Sequence, residues 1–487
     1  SLWRSPRYGS LKEKDHDEAL KLRNRVLHRL AAAGVITNTQ EQKFIKTPLP
    51  KRSNRYASNP CMAEHAAEFA RLTITAKMRW VDEGLKGYTT INCEIQRPTV
   101  DALHRSLEAM RERNPELRDD LWGIALALDA RNGDIKAFAQ EPSFTENEYR
   151  QIKRHVGSTA KMYGVLLHLL WGGRLSCNDK GTGRCTCNDS PMSLYLGKDA
   201  GRKHFGNFPY EGLPRYRGQI PFMQGLEESR NLCYLGLIKG IGGGLGIFHK
   251  DHFTETILRL GITLPPTKGT DILSEELSKR MNIKRQHLDP GHTGIIGSFD
   301  ATVFELARSW TPLYGGIMVE PRIIDQIIDE TGESTHFPPH FYGNIIAEMW
   351  IEAQKETLRW QDAYRLQKLY ETHGIKKSQR TIYRKEVFPI MTFDEETLKQ
   401  QAPQAAQIVT LALIRGLRGT VEGIHGTAKL ARKGDEEHDI PKLEFDLACK
   451  TGTATNTQRE TTDNWIVCRT TTHVVVVWIG RKNQLPM

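Results

Sequence analysis

Ser158 and Lys161, three positions apart, are the residues of this chain best suited to covalent chemistry. A serine hydroxyl attacks a carbonyl only after a base has removed its proton. On a helix, residues three apart share one face with about 5–6 Å between their Cβ atoms, so the lysine amine can reach the hydroxyl. The apolar run after Lys161 favours burial, which lowers the pKa of a lysine. The pair predicts a serine nucleophile with a lysine base, although SxxK also occurs by chance in a chain of 487 residues.

Ser229 and Asn231 form a second pattern, SxN, between the first pattern and a third. Residues two apart in an extended loop can point in the same direction. The hydroxyl of Ser229 can then relay a proton, and the amide of Asn231 can hold Lys161 and a substrate carbonyl. SxN alone carries almost no information, so its weight comes from its position after SxxK.

The third pattern, Lys450-Thr451-Gly452-Thr453, ends an apolar run that is predicted to be a strand. A glycine in a strand leaves room for a substrate to lie antiparallel beside it. The backbone amides of Thr453 and Ser158 can form an oxyanion hole for a tetrahedral intermediate. Lys450 and the hydroxyls of Thr451 and Thr453 can hold a terminal carboxylate. A lone KTG would indicate only a basic strand end, but the three ordered patterns predict one acyl-transfer site.

The composition excludes several classes of protein. Apolar residues make up 39% of the chain and charged residues 26%, which is typical of folded domains rather than disorder. The net charge is +10, but the basic residues are scattered and no zinc-finger or RNA-binding signature accompanies them, so we expect no nucleic acid partner. The longest apolar run, Val474–Ile479, has the length of a strand. The chain begins at Ser1 rather than Met, so we expect a processed product or fragment.

The eight cysteines include a cluster in a polar segment that reads as an exposed loop. This cluster indicates a disulfide-tied loop, free thiols or part of a zinc site. Zinc would require a fourth ligand, which is not visible, so we expect at least one disulfide and no metal. The cluster consists of Cys177, Cys185 and Cys187, and the other cysteines are Cys61, Cys93, Cys233, Cys449 and Cys468.

The predicted elements place strands at both ends of the main domain and helices between them. Asn132-Gly133 between two apolar runs predicts a β-hairpin. We expect a single sheet assembled from both ends of the domain and covered by helices, an α+β fold. The first forty residues are predicted to be helical, with Leu22, Val26, Leu27 and Leu30 on one face and an end near Gly34; the other predicted helices are Glu94–Arg113 and the buried Lys161–Leu170. The predicted strands are Gly87–Asn92, Ile124–Leu128, Ile135–Phe138, Leu443–Ala448, Trp465–Cys468 and His473–Ile479. Thr47–Pro60 reads as a linker, Gly240–Gly246 as a weak candidate for phosphate binding and 343–386 as a charged, helix-prone insertion.

The three patterns in this order match the signature of penicillin-binding proteins and serine β-lactamases. The chain resembles most the class A (bifunctional) penicillin-binding proteins. It departs from their pattern at Val156 and Met162, where the family often carries proline. Further segments that resemble the family are Arg25–Arg29, Gly34–Thr37, Gly87–Thr90 with Ile95 and Gln96, Leu128–Gly133, Ile296–Phe299 through Ala307, Gly315 and Gly316, Gly426–Ala428, Asp463–Trp465 and Val477–Gly480.

The resemblance implies three regions. Residues 1–46 resemble the tail of a glycosyltransferase domain, 47–117 a linker region and 118–487 the transpeptidase domain. The implied fold is that of penicillin-binding transpeptidases and serine β-lactamases, with a central antiparallel sheet flanked by helices. The catalytic carboxylates of the glycosyltransferase are missing, so we expect no glycan polymerisation by this chain.

The resemblance also implies a D,D-transpeptidase, in which Ser158 attacks the penultimate D-alanine of a peptidoglycan stem peptide and passes the acyl group to an amine. The implied partners are stem peptides, β-lactam antibiotics and membrane-associated cell-wall synthesis proteins, with no cofactor. The implied location is the periplasmic face of the cell membrane, with the anchor outside this chain. Two alternatives remain: a hydrolase (D,D-carboxypeptidase or β-lactamase), or an idle penicillin-binding scaffold. The intact motifs disfavour the scaffold, and the lack of an obvious glutamate motif disfavours the β-lactamase.

Overall fold

The structure is a computed structural model that describes residues 16–47, 61–77, 85–117, 120–141, 152–177, 185–195, 201–209, 213–238, 250–264, 291–329, 331–357, 395–434, 442–456, 458, 460–481 and 486–487. The predicted linker beyond Thr47, the glycine-dense segment 240–246 and residues 358–386 of the predicted charged segment lie outside these ranges. None of the described helices is long and apolar enough to cross a membrane.

The described strands are short apart from those of one sheet. In chain order they are β1 (Lys86–Thr89), β2 (Leu121–Asp129), β3 (Ile135–Glu141), β4 (Arg154–His155), β5 (Thr186–Asp189), β6 (Met192–Tyr195), β7 (Arg202–Phe205), β8 (Gly218–Pro221), β9 (Asp300–Ala301), β10 (Ile317–Val319), β11 (Ile324–Ile328), β12 (Ser334–His336), β13 (Phe341–Asn344), β14 (Ala448–Thr455), β15 (Thr461–Arg469) and β16 (His473–Arg481).

The described α-helices with defined bounds are α1 (His16–Ala32), α2 (Asn38–Lys46), α3 (Glu64–Lys77), α4 (Cys93–Arg113), α5 (Lys161–Leu170), α6 (Phe222–Glu227), α7 (Asn231–Leu235), α8 (Lys250–Arg259), α9 (Val303–Trp310), α10 (Glu395–Glu422) and α11 (Leu430–Lys433). A further helix covers residues 345–357, which are most of the described part of the predicted charged segment 343–386. The structure confirms the helices that were predicted at the start of the chain, at Glu94–Arg113 and at Lys161–Leu170.

A five-stranded antiparallel sheet in the order β14-β15-β16-β2-β3 forms the centre of the fold. The C-terminal strand β16 pairs with β2 along its whole length, from His473 opposite Asp129 to Arg481 opposite Leu121. Every residue of β2 is buried, because α4 covers one face of the sheet and the main hydrophobic core covers the other. The prediction of an α+β fold with one sheet built from both ends of the domain is confirmed.

The Asn-Gly turn joins β2 and β3 as predicted. Gly133 has φ +77°, a left-handed conformation that glycine adopts without steric penalty. A Cβ atom at this position would lie 2.2 Å from the carbonyl oxygen of Glu320, so the turn also needs glycine for close packing.

The helical layer beside the sheet carries the nucleophile and the long helix α10. All ten residues of α5 are buried. The helix α10 packs against α5, α6 and β14, so it ties the SxxK segment to the KTG strand. The site residues are therefore held between the sheet and this layer.

The strand predicted at Leu443–Ala448 is wrong in its position. The strand starts at Ala448, and Lys450-Thr-Gly-Thr453 lies inside it rather than after it. The apolar residues Leu443 and Leu447 instead pack as a connection against a small cluster with Val421 and Ala428. Leu447 is buried and Leu443 half-buried, but Phe445 between them is exposed, so the apolar residues of this segment predicted neither its conformation nor the burial of all of its side chains.

The eight cysteines form four disulfides. The prediction that the cysteine cluster forms a disulfide is thereby confirmed. Of its three cysteines, only Cys177 is exposed as predicted. Cys185 and Cys187 are buried, because β5 pairs with β8 and packs against α7. The pairs are Cys61–Cys93, Cys177–Cys185, Cys187–Cys233 and Cys449–Cys468.

Candidate active site

Ser158 lies on a single 3-10 turn, Gly157–Ala160, that leads directly into α5. The expected α-helical spacing of Ser158 and Lys161 is corrected accordingly: the serine precedes the α-helix and the lysine is its first residue. Gly157 has φ +52°, and a Cβ there would lie 2.5 Å from the carbonyl oxygen of Thr453. The turn therefore holds the half-buried Ser158 close to the KTG strand.

Lys161 is fully buried and makes three hydrogen bonds, all to the SxN segment. Its Nζ donates to the carbonyl oxygen of Ser229 at 2.6 Å, to Ser229 Oγ at 3.0 Å and to Asn231 Oδ1 at 2.7 Å. Burial, and secondarily the charge of Lys450, holds the pKa of Lys161 well below its usual value. A neutral amine keeps only two N–H donors and gains a lone pair, so in that form one of the three contacts, the one with the Ser229 hydroxyl, is a hydrogen bond that Nζ accepts.

Ser229 lies between two lysines. Its Oγ accepts hydrogen bonds from Lys161 Nζ and from Lys450 Nζ, each at 3.0 Å. Lys450 is also fully buried, and this burial lowers its pKa to about 7. Two buried ammonium groups repel each other, which favours the neutral form of one of the two lysines. The hydroxyl of Ser229 can then accept a proton from the charged lysine while it donates its own proton to the neutral one, so its position suits the relay role that stays a prediction for Ser229.

The strand β14 carries KTG along the edge of the sheet. A Cβ at Gly452 would lie 2.4 Å from the carbonyl oxygen of Val156, so only glycine allows the strand to lie this close to the nucleophile turn. Thr451 Oγ1 donates to Thr427 Oγ1 at 3.0 Å, and the exposed Thr453 contacts Asn464 on β15. An edge strand can accept a further antiparallel strand, which here would be a peptide.

A cavity of about 320 Å³ opens above these residues. The buried lysines lie beneath it, bonded to Ser229, and Gly452 forms part of the floor of a neighbouring cavity of about 390 Å³ that shares Thr451 and Thr453. The structure thus brings all eight predicted site residues together. The cavity is lined by His155, Gly157, Ser158, Phe208, Ser229, Asn231, Ile296, Gly297, Ser298, Thr451, Thr453, Ala454 and Thr455.

Several residues that build the site gave no usable signal in the sequence. Gly297 has φ +103°, and a Cβ there would lie 1.9 Å from the carbonyl oxygen of Gly157. Thr427 lies in a segment that resembles the family, but nothing indicated its contact with Thr451. Arg230, the middle residue of SxN, and Asp189 are buried charges, and their pairing depends on tertiary structure.

One group of potential metal ligands occurs among the described residues, far from the motifs. His104, Glu108 and Glu141 lie close enough to share an ion. Both carboxylates already form ion pairs with Arg111, and His104 contacts Glu141. These contacts are those of a surface ion-pair network.

No family model matches this chain. Among curated proteins, penicillin-binding protein 1A from Neisseria flavescens is 24% identical over 216 residues, which are 44% of this chain and 22% of that protein. The chain therefore matches about a fifth of the length of this relative.

Solved structures resemble the whole described fold. Penicillin-binding protein 1A from Haemophilus influenzae has a TM-score of 0.56 at 15% identity, over 98% of this chain and 74% of that chain. The PonA1 protein from Mycobacterium tuberculosis in complex with penicillin V has a TM-score of 0.51 at 17% identity, over 87% of this chain and 85% of that chain. At these identities the likeness establishes the fold.

Proposed function

We propose, since the chain is a homologue of class A penicillin-binding proteins and has the fold of their transpeptidase domain, that it is a D,D-transpeptidase acting through an acyl-enzyme on Ser158. One observation carries the proposal: two buried lysines share the hydroxyl of Ser229 beside a serine turn that touches the KTG strand. Each element of this arrangement has a function in acyl transfer.

Acylation begins when neutral Lys161 takes the proton of Ser158 and the serine Oγ attacks the penultimate D-alanine carbonyl of a stem peptide. The backbone N–H groups of Ser158 and Thr453 stabilise the oxyanion. When the C–N bond breaks, the leaving D-alanine amine takes a proton that passes from Lys161 through Ser229 Oγ, 3.0 Å away. The ester on Ser158 remains.

Deacylation reverses these steps with a different amine. The acceptor amine attacks the ester carbonyl, its surplus proton passes to Lys161, and Ser158 Oγ recovers a proton as the C–O bond breaks. The terminal carboxylate of the donor binds Thr451 and Thr453, Gly452 gives the backbone close access, and the buried Lys450 acts on the carboxylate through its charge rather than by contact. A β-lactam places its carbonyl and carboxylate on the same groups, so penicillin should acylate Ser158.

The lining of the cavity disfavours a β-lactamase that uses a carboxylate base. A β-lactamase needs a base that activates water against the ester. Among the described residues that line the cavity there is no aspartate or glutamate. The D,D-carboxypeptidase alternative does not depend on such a residue, so the acceptor, amine or water, is decided by the experiment below.

The wider context is proposed on the same basis. We place the protein outside the cytoplasm, at the periplasmic face of the membrane, and four disulfides support an oxidising compartment. Stem peptides, β-lactams and membrane-associated cell-wall synthesis proteins are its proposed partners. The division into 1–46, 47–117 and 118–487 stays a prediction; β1, from the predicted linker region, pairs with β11 of the third region.

The direct test is covalent labelling with a fluorescent penicillin, followed by transpeptidation of synthetic stem peptides. Ser158→Ala should abolish labelling, whereas Ser298→Ala, which changes another serine lining the same cavity, should retain it. D-alanine release with transfer to an added amine would support the transpeptidase. Release of the free acid alone would indicate a hydrolase, and a folded wild-type chain that takes no label would favour the scaffold.

A further inference from the structure

Arg230, the middle residue of the SxN pattern, is a buried charge that the proposed mechanism does not use. Only 2% of its surface is exposed. Its Nε donates to Glu228 Oε2 at 2.7 Å, and its Nη1 donates to the carbonyl oxygen of Pro214 at 2.7 Å. The same Nη1 lies 3.5 Å from Asp189 Oδ2. A guanidinium held at several edges is fixed in orientation.

Both carboxylates that face Arg230 are buried and fully engaged. Glu228 also accepts hydrogen bonds from Arg217 Nε and Gln224 Nε2, each at 2.8 Å. Asp189, on β5, accepts from Asn207 Nδ2 at 2.5 Å and from the backbone N–H of Arg217 at 3.1 Å. Buried charges are retained only where such partners offset the loss of hydration.

This network has a direct consequence for Ser229, which lies between Glu228 and Arg230. Ser229 has φ +54°, a left-handed conformation that a non-glycine residue adopts only when its surroundings impose it. The backbone N–H groups of Ser229 and Arg230 donate to the carbonyl oxygens of Leu226 and Gly225 at 3.1 and 2.8 Å. The ion pairs on both neighbours therefore fix the backbone that aims Ser229 at the two lysines.

The strand β5 joins the same network to the second residue of the pattern. Cys187, two residues before Asp189, forms a disulfide with Cys233, two residues after Asn231. Asn231 Nδ2 donates to the carbonyl oxygen of Gly206 at 3.3 Å, next to Asn207. Asp189 thus lies at the centre of the support beneath both Ser229 and Asn231.

We propose that Asp189, Arg230 and Glu228 are positioning residues of the acyl-transfer site, which hold Ser229 and Asn231 against Lys161 and set the charge around that lysine. The inference rests on the proposed function of the site. The two carboxylates have different effects: Glu228 orients the loop through Arg230, whereas Asp189 also acts on Lys161 electrostatically.

The charged and titratable groups that face Lys161 come from three elements. Lys450 on β14 opposes the protonated form of Lys161, and Asp189 on β5 favours it. The ring of Tyr234 on α7 lies 5.5 Å from Nζ. Burial and Lys450 lower the pKa of Lys161, and the charge of Asp189 partly counteracts them. Loss of that charge should therefore lower the pKa further.

The experiment compares Asp189→Asn with Glu228→Gln, two isosteric changes of buried carboxylates that both contact Arg230. The labelling rate with fluorescent penicillin is measured across pH, and the titration of Lys161 is followed by NMR of ¹³C-labelled lysine, assigned with Lys161→Ala. Glu305→Gln serves as the control, because Glu305, on α9, is a buried carboxylate in an ion pair with Lys153 and does not contact Arg230.

Asp189→Asn should move the acidic limb of the rate profile and the titration of Lys161 to lower pH. Glu228→Gln should slow labelling by about 10- to 100-fold at every pH, as expected when a reacting group is displaced, without moving the limb. Glu305→Gln should alter stability only. If either buried variant does not fold, Glu228→Asp, which keeps the charge but shortens the side chain, should still slow labelling with an unmoved limb.

The inference would be overturned if the folded variants labelled at the wild-type rate and their rate profiles had the acidic limb at the wild-type pH. So would equal effects of all three substitutions, which would indicate a merely structural role. If the wild-type chain takes no label, the proposed function fails, but the NMR titration still tests the inference: an unchanged titration of Lys161 in Asp189→Asn would contradict it.

Discussion

Gly452→Ala tests the closeness of the KTG strand to the nucleophile turn. A Cβ at this position would lie 2.4 Å from the carbonyl oxygen of Val156 and 2.8 Å from Thr159 Cγ2. The oxygen belongs to the backbone, so no side-chain rotation relieves the contact. An ordinary van der Waals distance requires β14 to move by about 1 Å, and overpacking of this kind costs about 1–3 kcal/mol of folding stability.

The movement would displace the amide of Thr453 from the oxyanion that forms on the carbonyl attacked by Ser158. A misplacement of about 1 Å in an active site lowers the rate by about 10²-fold. The assay is the second-order rate of penicillin labelling, with thermal unfolding measured in parallel. The control is Gly201→Ala, at a glycine with φ +61° and no atom within 4 Å of its Cβ position, so that backbone strain is introduced without a clash. A folded Gly452→Ala variant that labels at the wild-type rate would refute the reasoning.

Three further predictions follow from the same geometry. Lys450→Met removes a positive neighbour, so the pKa of Lys161 should rise and the acidic limb of the labelling profile should move to higher pH; a limb that stays in place would show that the two lysines are not coupled. Replacing both Cys449 and Cys468 by serine should lower the free energy of unfolding by about 3 kcal/mol, because the unfolded chain is then no longer constrained by the cross-link between β14 and β15. Denaturant titration measures this change. Thr451→Ala should raise the concentration of a D-Ala-D-Ala peptide needed for half-maximal rate more than it lowers the maximal rate, since its hydroxyl is proposed to bind the carboxylate.

The elements that the sequence predicted best are those with a strong local pattern. The helix Lys161–Leu170 follows from a continuous apolar run and matches the structure at both ends. The hairpin at Asn132-Gly133 follows from a dipeptide that is strongly preferred in turns between twisted strands. By contrast, Leu443–Ala448 alternates apolar and acidic residues as a strand would, yet only Leu443 and Leu447 pack on the cluster with Val421 of α10 and Phe445 is exposed, so this pattern does not distinguish a strand from a connection.

The chemistry of the site was only partly visible in the sequence. The order of the motifs predicted that Ser158, Lys161, Ser229 and Lys450 lie together. It did not predict that both lysines are fully buried and hydrogen-bonded to the same hydroxyl, that of Ser229. The left-handed backbone of Ser229 could not be predicted, because it is imposed by partners distant in the chain. The disulfide between Cys187 and Cys233 was equally hidden, since spacing does not fix pairing.

The central claim is that Ser158 is the nucleophile of an acyl-enzyme with Lys161 as its base, and tandem mass spectrometry of penicillin-treated protein tests it most directly. The account predicts one labelled peptide, modified on Ser158, together with loss of the label in Ser158→Ala. It also predicts labelling slowed by about 10²–10⁴-fold in a folded Lys161→Ala variant, as expected for the loss of a general base. A label that persists in Ser158→Ala, or that resides on another residue of the wild-type chain, would contradict the account.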